Sequence, residues 1–141
     1  MSRILQAPFF SFKTATANGA GACLDVRDYQ SINLAVYTSG NSSATIKVAV
    51  SNSLVQPNFA IAPSVTNVYD YVQICPINSQ QTADRLSGST GIVLSGTDIV
   101  KMYEVNSSNA SISFKWLCPV ISLYTAGSIT VEVTASIDVN K

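Results

Sequence analysis

Apolar and polar side chains alternate with a period of two between Tyr29 and Asn52, which is the pattern of β-strands. The apolar positions on one face are Ile32, Leu34, Val36, Ile46, Val48 and Val50. The segment Ser39–Ser43, which interrupts the apolar positions, is rich in Ser, Gly and Asn, as turns are. We therefore predict a β-hairpin here. A hairpin alone cannot bury its apolar face in water, so it needs a second sheet or a partner chain.

The rest of the chain also predicts strands separated by turns and loops, and no window predicts an amphipathic helix. The loops expected are a long connection at Ser53–Asn67, a polar loop at Asn78–Thr90 and a turn at Asn106–Ala110. A break between two strands is expected at Ser95–Thr97. The further candidate strands are Ile4–Thr16, Val68–Ile77, Gly91–Leu94, Asp98–Val105, Ser111–Leu117 and Ser128–Val139.

This arrangement predicts an all-β protein, an antiparallel β-sandwich of jelly-roll or Ig-like type. Trp116 lies beside Cys118 and not between two paired cysteines, which argues against a true immunoglobulin domain. The length of 141 residues predicts a single domain. Residues 1–22 are expected to form either an N-terminal arm that pairs with a neighbouring subunit or a first strand, and residues 23–141 the sandwich.

The chain carries few charges, eight basic and eight acidic residues that together make up 11% of the sequence. Nucleic acid and anionic membranes are therefore not expected partners, because both require clustered Lys and Arg. No apolar run is long enough to predict a membrane span. With 47% hydrophobic residues, the surface must be weakly charged and rather apolar, which favours association. We expect a homo-oligomer or a component of a larger assembly.

The three cysteines, Cys23, Cys75 and Cys118, are far apart in sequence and odd in number. They lack the spacing of a zinc site, and there is no histidine to complete one. Each has apolar or small neighbours, as a buried thiol does. The sequence therefore favours three reduced cysteines and intracellular synthesis.

The absence of histidine removes Ser-His-Asp and Cys-His catalysis and most zinc and haem sites. A carboxylate pair suited to glycoside hydrolysis could still come from the acids in or beside loops. Those acids are Asp25, Asp28, Asp70, Asp84 and Asp98. Calcium binding by Asp25 and Asp28 is disfavoured because the segment lacks the EF-hand pattern and contains Arg27, which is expected to pair with one of them. We expect no enzyme activity, no cofactor and no metal.

Six tyrosines and one tryptophan leave a carbohydrate-binding surface open as an alternative. Trp116 alternates in phase with Ile112 and Phe114, which places it in the core or against a neighbouring subunit. The tyrosines that remain candidates for exposed contacts are Tyr37, Tyr69, Tyr71 and Tyr103.

Three stretches carry a resemblance to a known class of protein. They are LDVRDYQSINLAVYTSGNSSATIKVAVSNS, GIVLSGTDIVKMYEVNSSNASISFKW and GSITVEVTASIDV. Their order resembles the small β-sandwich virion proteins of tailed bacteriophages, among them head cement or decoration proteins and comparable tail modules. In that class an Asp-containing strand entry leads to a hairpin with a Gly/Ser turn, and a Gly-led strand of alternating Val and Thr ends the chain.

The resemblance implies a virion structural protein without an active site, assembled in the host cytoplasm. Its expected partners are further copies of itself, as a trimer, and the major capsid protein or other virion proteins. A tail or head-completion component is the alternative within this class. The candidate intersubunit contacts are Ile4, Leu5, Phe9, Phe10, Phe12, Tyr69 and Tyr71.

Overall fold

A computed structural model of the chain describes residues 4–79, 81–105 and 114–138, with the side chains of residues 4–7 and 138 left aside. This part of the protein is all-β, with a single 3-10 turn at Thr82–Asp84. The strands are β1 (Ile4–Ala15), β2 (Gly19–Ala20), β3 (Leu24–Asp25), β4 (Ser31–Ser51), β5 (Asp70–Tyr71), β6 (Ile74–Pro76), β7 (Ile92–Thr97), β8 (Val100–Val105) and β9 (Trp116–Asp138).

All nine strands belong to one antiparallel sheet, in which β4 and β9 are the two long central strands. They pair from Ser31 opposite Ser136 to Ser51 opposite Trp116. The sheet order is β1-β9-β4-β8-β6, so that β1 and β6 lie at its two ends. The first part of the chain therefore forms a strand of the protein's own sheet.

The shorter strands lie end to end along the two long ones. On one side of β4, β8 pairs with residues 32–37, β7 with residues 41–46 and β5 with residues 49–50. On the far side of β9, β1 pairs with residues 129–138, β2 with residues 120–121 and β3 with residues 116–117. Each long strand is thus flanked along its length by several short ones.

The sheet bends across a line that crosses all the long strands. The β4–β9 register shifts between Ser39 and Ser43, and both Gly40 (φ +77°) and Gly127 (φ +94°) take the left-handed conformation that glycine allows. Asp98, between β7 and β8, also has a positive φ of 49°. These positions are adjacent in the register, so the two halves of the sheet are joined by one shared bend.

Both halves of the sheet contribute to one hydrophobic core. Leu34 and Val131 come from one side of the bend, and Ile46 and Ile121 from the other, and all four are fully buried in the same cluster. Within the described chain, only the opposing half can cover the apolar face of each half so completely. The bent sheet therefore closes on itself as a sandwich around one core, which makes the protein a single all-β domain as predicted.

The hairpin predicted around Ser39–Ser43 is wrong, because β4 runs through this segment as one 21-residue strand. The buried positions keep their phase across it: Thr38, Ser42 and Ala44 face inward like Ile32 and Val48. A chain reversal would have placed the two flanking segments side by side. The polar residues instead form the bulge at which the strand bends.

The C-terminal strand is longer than predicted, since β9 begins at Trp116 and not at Ser128. Pro119 lies opposite the gap between β2 and β3, where the register shifts, and its carbonyl accepts a hydrogen bond of 2.9 Å from the Gly21 N–H there. The missing Pro N–H falls in this irregular stretch. The turn predicted at 106–110 lies outside the described residues, as does part of the strand predicted at 111–117.

Two other segments differ in detail from the sequence prediction. The strand predicted at Val68–Ile77 is two short strands, β5 and β6, and the break predicted at Ser95–Thr97 lies at Asp98 and Ile99 instead. Ser95–Thr97 continue β7 because they pair with Asn41–Ser43 along the bend. The long connection predicted after Asn52 is present.

Candidate interaction surfaces

The predicted contact residues on β1 divide between the core and the surface. The backbones of Ile4 and Leu5 pair with Asp138 and Ile137 of β9. Phe9 and Phe12 both pack against the main core, because a register shift between Phe10 and Phe12 changes the side to which the following side chains point. Phe10 alone of these three aromatics projects outward.

Tyr69 is not an exposed contact residue, contrary to the sequence prediction. It is only 7% exposed, its hydroxyl donates a hydrogen bond of 2.5 Å to the Ile61 carbonyl, and its ring meets Phe59 edge to face at 5.0 Å. Tyr103 is also buried, in the main core. Tyr71 is half-buried beside Tyr69, with a centroid distance of 5.7 Å. Tyr69 and Tyr71 belong to a second, smaller cluster within the chain's own fold.

An exposed row of residues crosses the outer face of the sheet between β1 and β8, and we call it the Phe10–Met102 row. Phe10 lies opposite Glu132, Glu132 opposite Ala35, and Ala35 opposite Met102. Directly opposed residues share a sheet face, so the four side chains line up across four strands. Phe10 is 45% exposed and Met102 52% exposed, at the two ends of a pocket of about 340 Å³.

The same face continues beyond Met102 toward the far end of the sheet. Val100 and Ile77 are exposed, and the Ile77 N–H donates to the Met102 carbonyl at 3.1 Å. A second pocket of about 480 Å³ lies between them. The outer face therefore carries apolar side chains from the β1 edge to the β6 edge.

The connection between β4 and β5 carries a second group of exposed apolar side chains. Its shape is held by the Asn67 side chain, whose Oδ1 accepts from the Asn58 backbone N–H at 2.8 Å and whose Nδ2 donates to the Asn58 backbone carbonyl at 2.9 Å. The exposed side chains are Leu54, Val55, Ile61, Val65 and Val68. We call them the apolar connection. These side chains are therefore exposed on a loop whose backbone is held by hydrogen bonds.

Four of the five acids considered for catalysis or calcium make local hydrogen bonds, namely Asp25, Asp70, Asp84 and Asp98. Arg27 binds both carboxylate oxygens of Asp25, at 3.1 and 2.8 Å, which confirms the expected pairing and holds the pKa of Asp25 below its usual range. Asp84 accepts a hydrogen bond from Ser79, and Asp98 from the Gly40 N–H. Asp70 accepts from the Tyr71 N–H at 2.8 Å.

Other features of the described residues bear on possible chemistry. Among residues 4–79, 81–105 and 114–138, no group of three or more Cys, Asp or Glu side chains is arranged to hold a metal ion. No helix in this part of the chain is long and apolar enough to cross a membrane. Burial, with a smaller contribution from Glu132, raises the pKa of Tyr37 on the outer face.

Two solved structures share this fold. The SPBc2 prophage-derived protein YomS aligns with a TM-score of 0.59 and 16% identity, over 97% of both chains. The PBSX exported protein XepA aligns with a TM-score of 0.62 and 17% identity over 95% of this chain, which spans 38% of XepA. At these identities the likeness shows the fold. No protein-family model matches the sequence, and comparison with curated protein sequences gives no match.

Sequence reasoning found Phe10 but missed Met102, Val100 and the apolar connection. The alternation of Val100 and Met102 with Lys101 and Tyr103 places them on one face, but it does not say which face is buried. Pairing with β4 decides which face is buried. Tyr103 lies opposite the buried Leu34 and points inward, so Val100 and Met102 point outward.

Proposed function

We propose that this protein is a non-enzymatic structural component of a bacteriophage virion, most specifically a cement or decoration protein of the head. The observation that carries the proposal is the apolar outer face, where Phe10, Val100 and Met102 are exposed on a sheet with few charges. Surfaces of this kind mark sites of protein association. The fold shared with a prophage-derived protein supports the phage assignment.

The proposed mechanism is the covering of the Phe10–Met102 row by a neighbouring copy of the chain in a trimer, and it is the trimer that binds the head. Aromatic and Met side chains are enriched in the cores of protein interfaces, where they contribute most of the binding free energy. Glu132 in the middle of the row gives the contact a polar group that a partner must match. Many such contacts, repeated with the symmetry of a head, would have to break together before neighbouring capsomers separate.

The β1 edge offers a second means of attachment. In the described sheet β1 pairs with β9 on one side, and on the other the Ser11 carbonyl accepts a hydrogen bond of 3.0 Å from the Ala22 N–H. An edge strand presents backbone donors and acceptors that an extended segment of another chain can pair with. A partner strand added beside β1 would also cover Phe10.

The test is a binding assay with phage particles that lack this protein, separated into heads and tails. We expect the purified protein to cosediment with heads and to saturate at a fixed number of copies. Phe10→Ser should weaken this binding at least tenfold, whereas Leu123→Ser, on the outer face across the bend, should not. Binding to tails alone would favour a tail component, and binding to neither would overturn the proposal.

A further inference from the structure

Cys23 and Cys118 lie together in the fold although 95 positions of sequence separate them. Leu24 pairs with Leu117 in the β3–β9 ladder, so the next position outward brings Cys23 opposite Cys118. The Val26 N–H donates to the Lys115 carbonyl at 2.7 Å on the other side of this pair and so continues the same register. Opposed residues of antiparallel strands have Cα atoms roughly 4.5–5.5 Å apart, which is within the range that a disulfide spans.

The side chains of the two cysteines also meet. Cys118 is buried in the second cluster, and the half-buried Cys23 packs against that cluster. Both line one open pocket of about 340 Å³, together with Gly21, Pro57 and Phe59. A hydrogen bond with Cys118 lowers the pKa of the Cys23 thiol, and the same contact and burial raise the pKa of Cys118.

We propose that Cys23 and Cys118 form a redox-active dithiol that a low-molecular-weight disulfide, such as oxidised glutathione, converts to an intramolecular disulfide. Cys23 reacts first, since it is the more accessible thiol. Its thiolate attacks one sulfur of the oxidant, which forms a mixed disulfide and releases one glutathione thiolate.

The Cys118 sulfur then displaces the second glutathione from Cys23 and closes the protein disulfide. The two protein sulfurs lose two electrons, the oxidant gains them, and the two thiol protons leave with the two glutathione molecules. The pocket gives the oxidant access to Cys23, and the ladder holds Cys118 in position for the second step.

The Cys23–Cys118 disulfide would join the segment before β3 to the central strand β9. A virion protein made in a reducing cytoplasm and released into an oxidising medium would gain this link after assembly, a consequence that rests on the proposed function. The formation of the disulfide does not depend on the proposed function, and it is tested on the isolated protein.

Cys75 provides an internal control because it is buried on β6, three strands from β9 in the sheet order. Its thiol lies 3.3 Å from the Ser79 carbonyl, and no described cysteine is opposite it in the β6–β8 register. The Cys75→Ser variant should therefore oxidise like the unaltered protein, and Cys23→Ser should form no internal disulfide.

The experiment incubates the folded protein with excess oxidised glutathione, quenches it, and counts free thiols after denaturation. We expect the count to fall from three to one, peptide mapping to identify the Cys23–Cys118 link, and Tm to rise by roughly 5–15 °C. The Tm rise should be absent in Cys23→Ser. Retention of three thiols, accumulation of glutathione on Cys23 without closure, or a link to Cys75 would overturn the proposal.

Discussion

The Gly40 N–H donates a hydrogen bond of 2.8 Å to the Asp98 carboxylate, and the Asp98 N–H donates to the Gly40 carbonyl at 3.2 Å. This reciprocal pair joins β4 to the β7–β8 connection at the line where the sheet bends. Next to it, the Thr38 hydroxyl accepts from the Ile99 N–H at 2.9 Å. Specific hydrogen bonds therefore fix the position of the bend, in addition to the Ser, Gly and Asn residues of the segment.

Replacing Asp98 tests this contribution to the bend. Asp98→Ala removes the acceptor for Gly40 and places alanine at a positive φ, so we expect the free energy of unfolding to fall by about 1–2 kcal/mol. Asp98→Asn keeps an acceptor oxygen and tolerance for that conformation, and should stay within about 0.5 kcal/mol of the original. Urea unfolding measures both. Equal stability of the two variants would contradict this role.

Gly127 tests how closely β9 approaches β4 at the bend. A Cβ atom at Gly127 would collide with the side chain and backbone of Ser42, whereas one at Gly40 would meet nothing within 4 Å. Both glycines have positive φ, so Gly40→Ala is a control for backbone strain, expected to cost about 1–2 kcal/mol. Gly127→Ala should cost about 1–3 kcal/mol more.

Denaturant unfolding of the two alanine variants provides the comparison. If Gly127→Ala were no less stable than Gly40→Ala, Ser42 would not be packed against Gly127, and the bend would be looser than described.

Two leucines on opposite faces test the closure of the sheet around one core. Leu34 is fully buried, and Leu123 is 58% exposed on the outer face. Leu34→Ala should lower the free energy of unfolding by about 2–5 kcal/mol, and Leu123→Ala by less than about 1 kcal/mol. Similar losses at both positions, measured by urea unfolding, would argue against a sheet that buries one face and exposes the other.

Tyr69 predicts a loss of stability at high pH. Burial raises its pKa to about 12, above the ordinary value of 10.0. The unfolded chain therefore releases this proton at lower pH than the folded protein does. The stabilisation is complete below pH 10 and is lost as pH rises through about 12. In Tyr69→Phe, the stability profile measured by unfolding between these pH values should be flatter. An unchanged slope would contradict the burial of the hydroxyl.

The sequence predicts the core positions of β4 well, because Ile32, Leu34 and Ile46 alternate cleanly and all are fully buried. It does not distinguish a hairpin from a bulged continuous strand, since Ser39–Ser43 has the composition of either. The inward phase that continues from Ile32 through Ser42 to Ile46 is the signal that favours one strand. Where the strand bends depends on Asp98 and Gly127, which come from distant parts of the chain.

The surface was harder to predict than the core. Tyr69 falls in the strand predicted at Val68–Ile77 but lies just before the short β5 in the structure, and its burial depends on Phe59 and on the path of the connection. Phe9 and Phe10 are adjacent phenylalanines, and only the pairing with β9 determines which of them faces outward. The Cys23–Cys118 contact likewise follows from a long-range register that spacing in the sequence does not reveal.

In the proposed assembly the Phe10–Met102 row is covered by a neighbouring copy of the chain. The most direct measurement is the solution mass by light scattering over a range of concentrations. We expect a trimer, three times the 14.9 kDa chain mass, that dissociates when Met102→Glu introduces a charge into the row. Leu123→Glu is the matched control and should remain a trimer. A mass of 14.9 kDa at every concentration would contradict the claim.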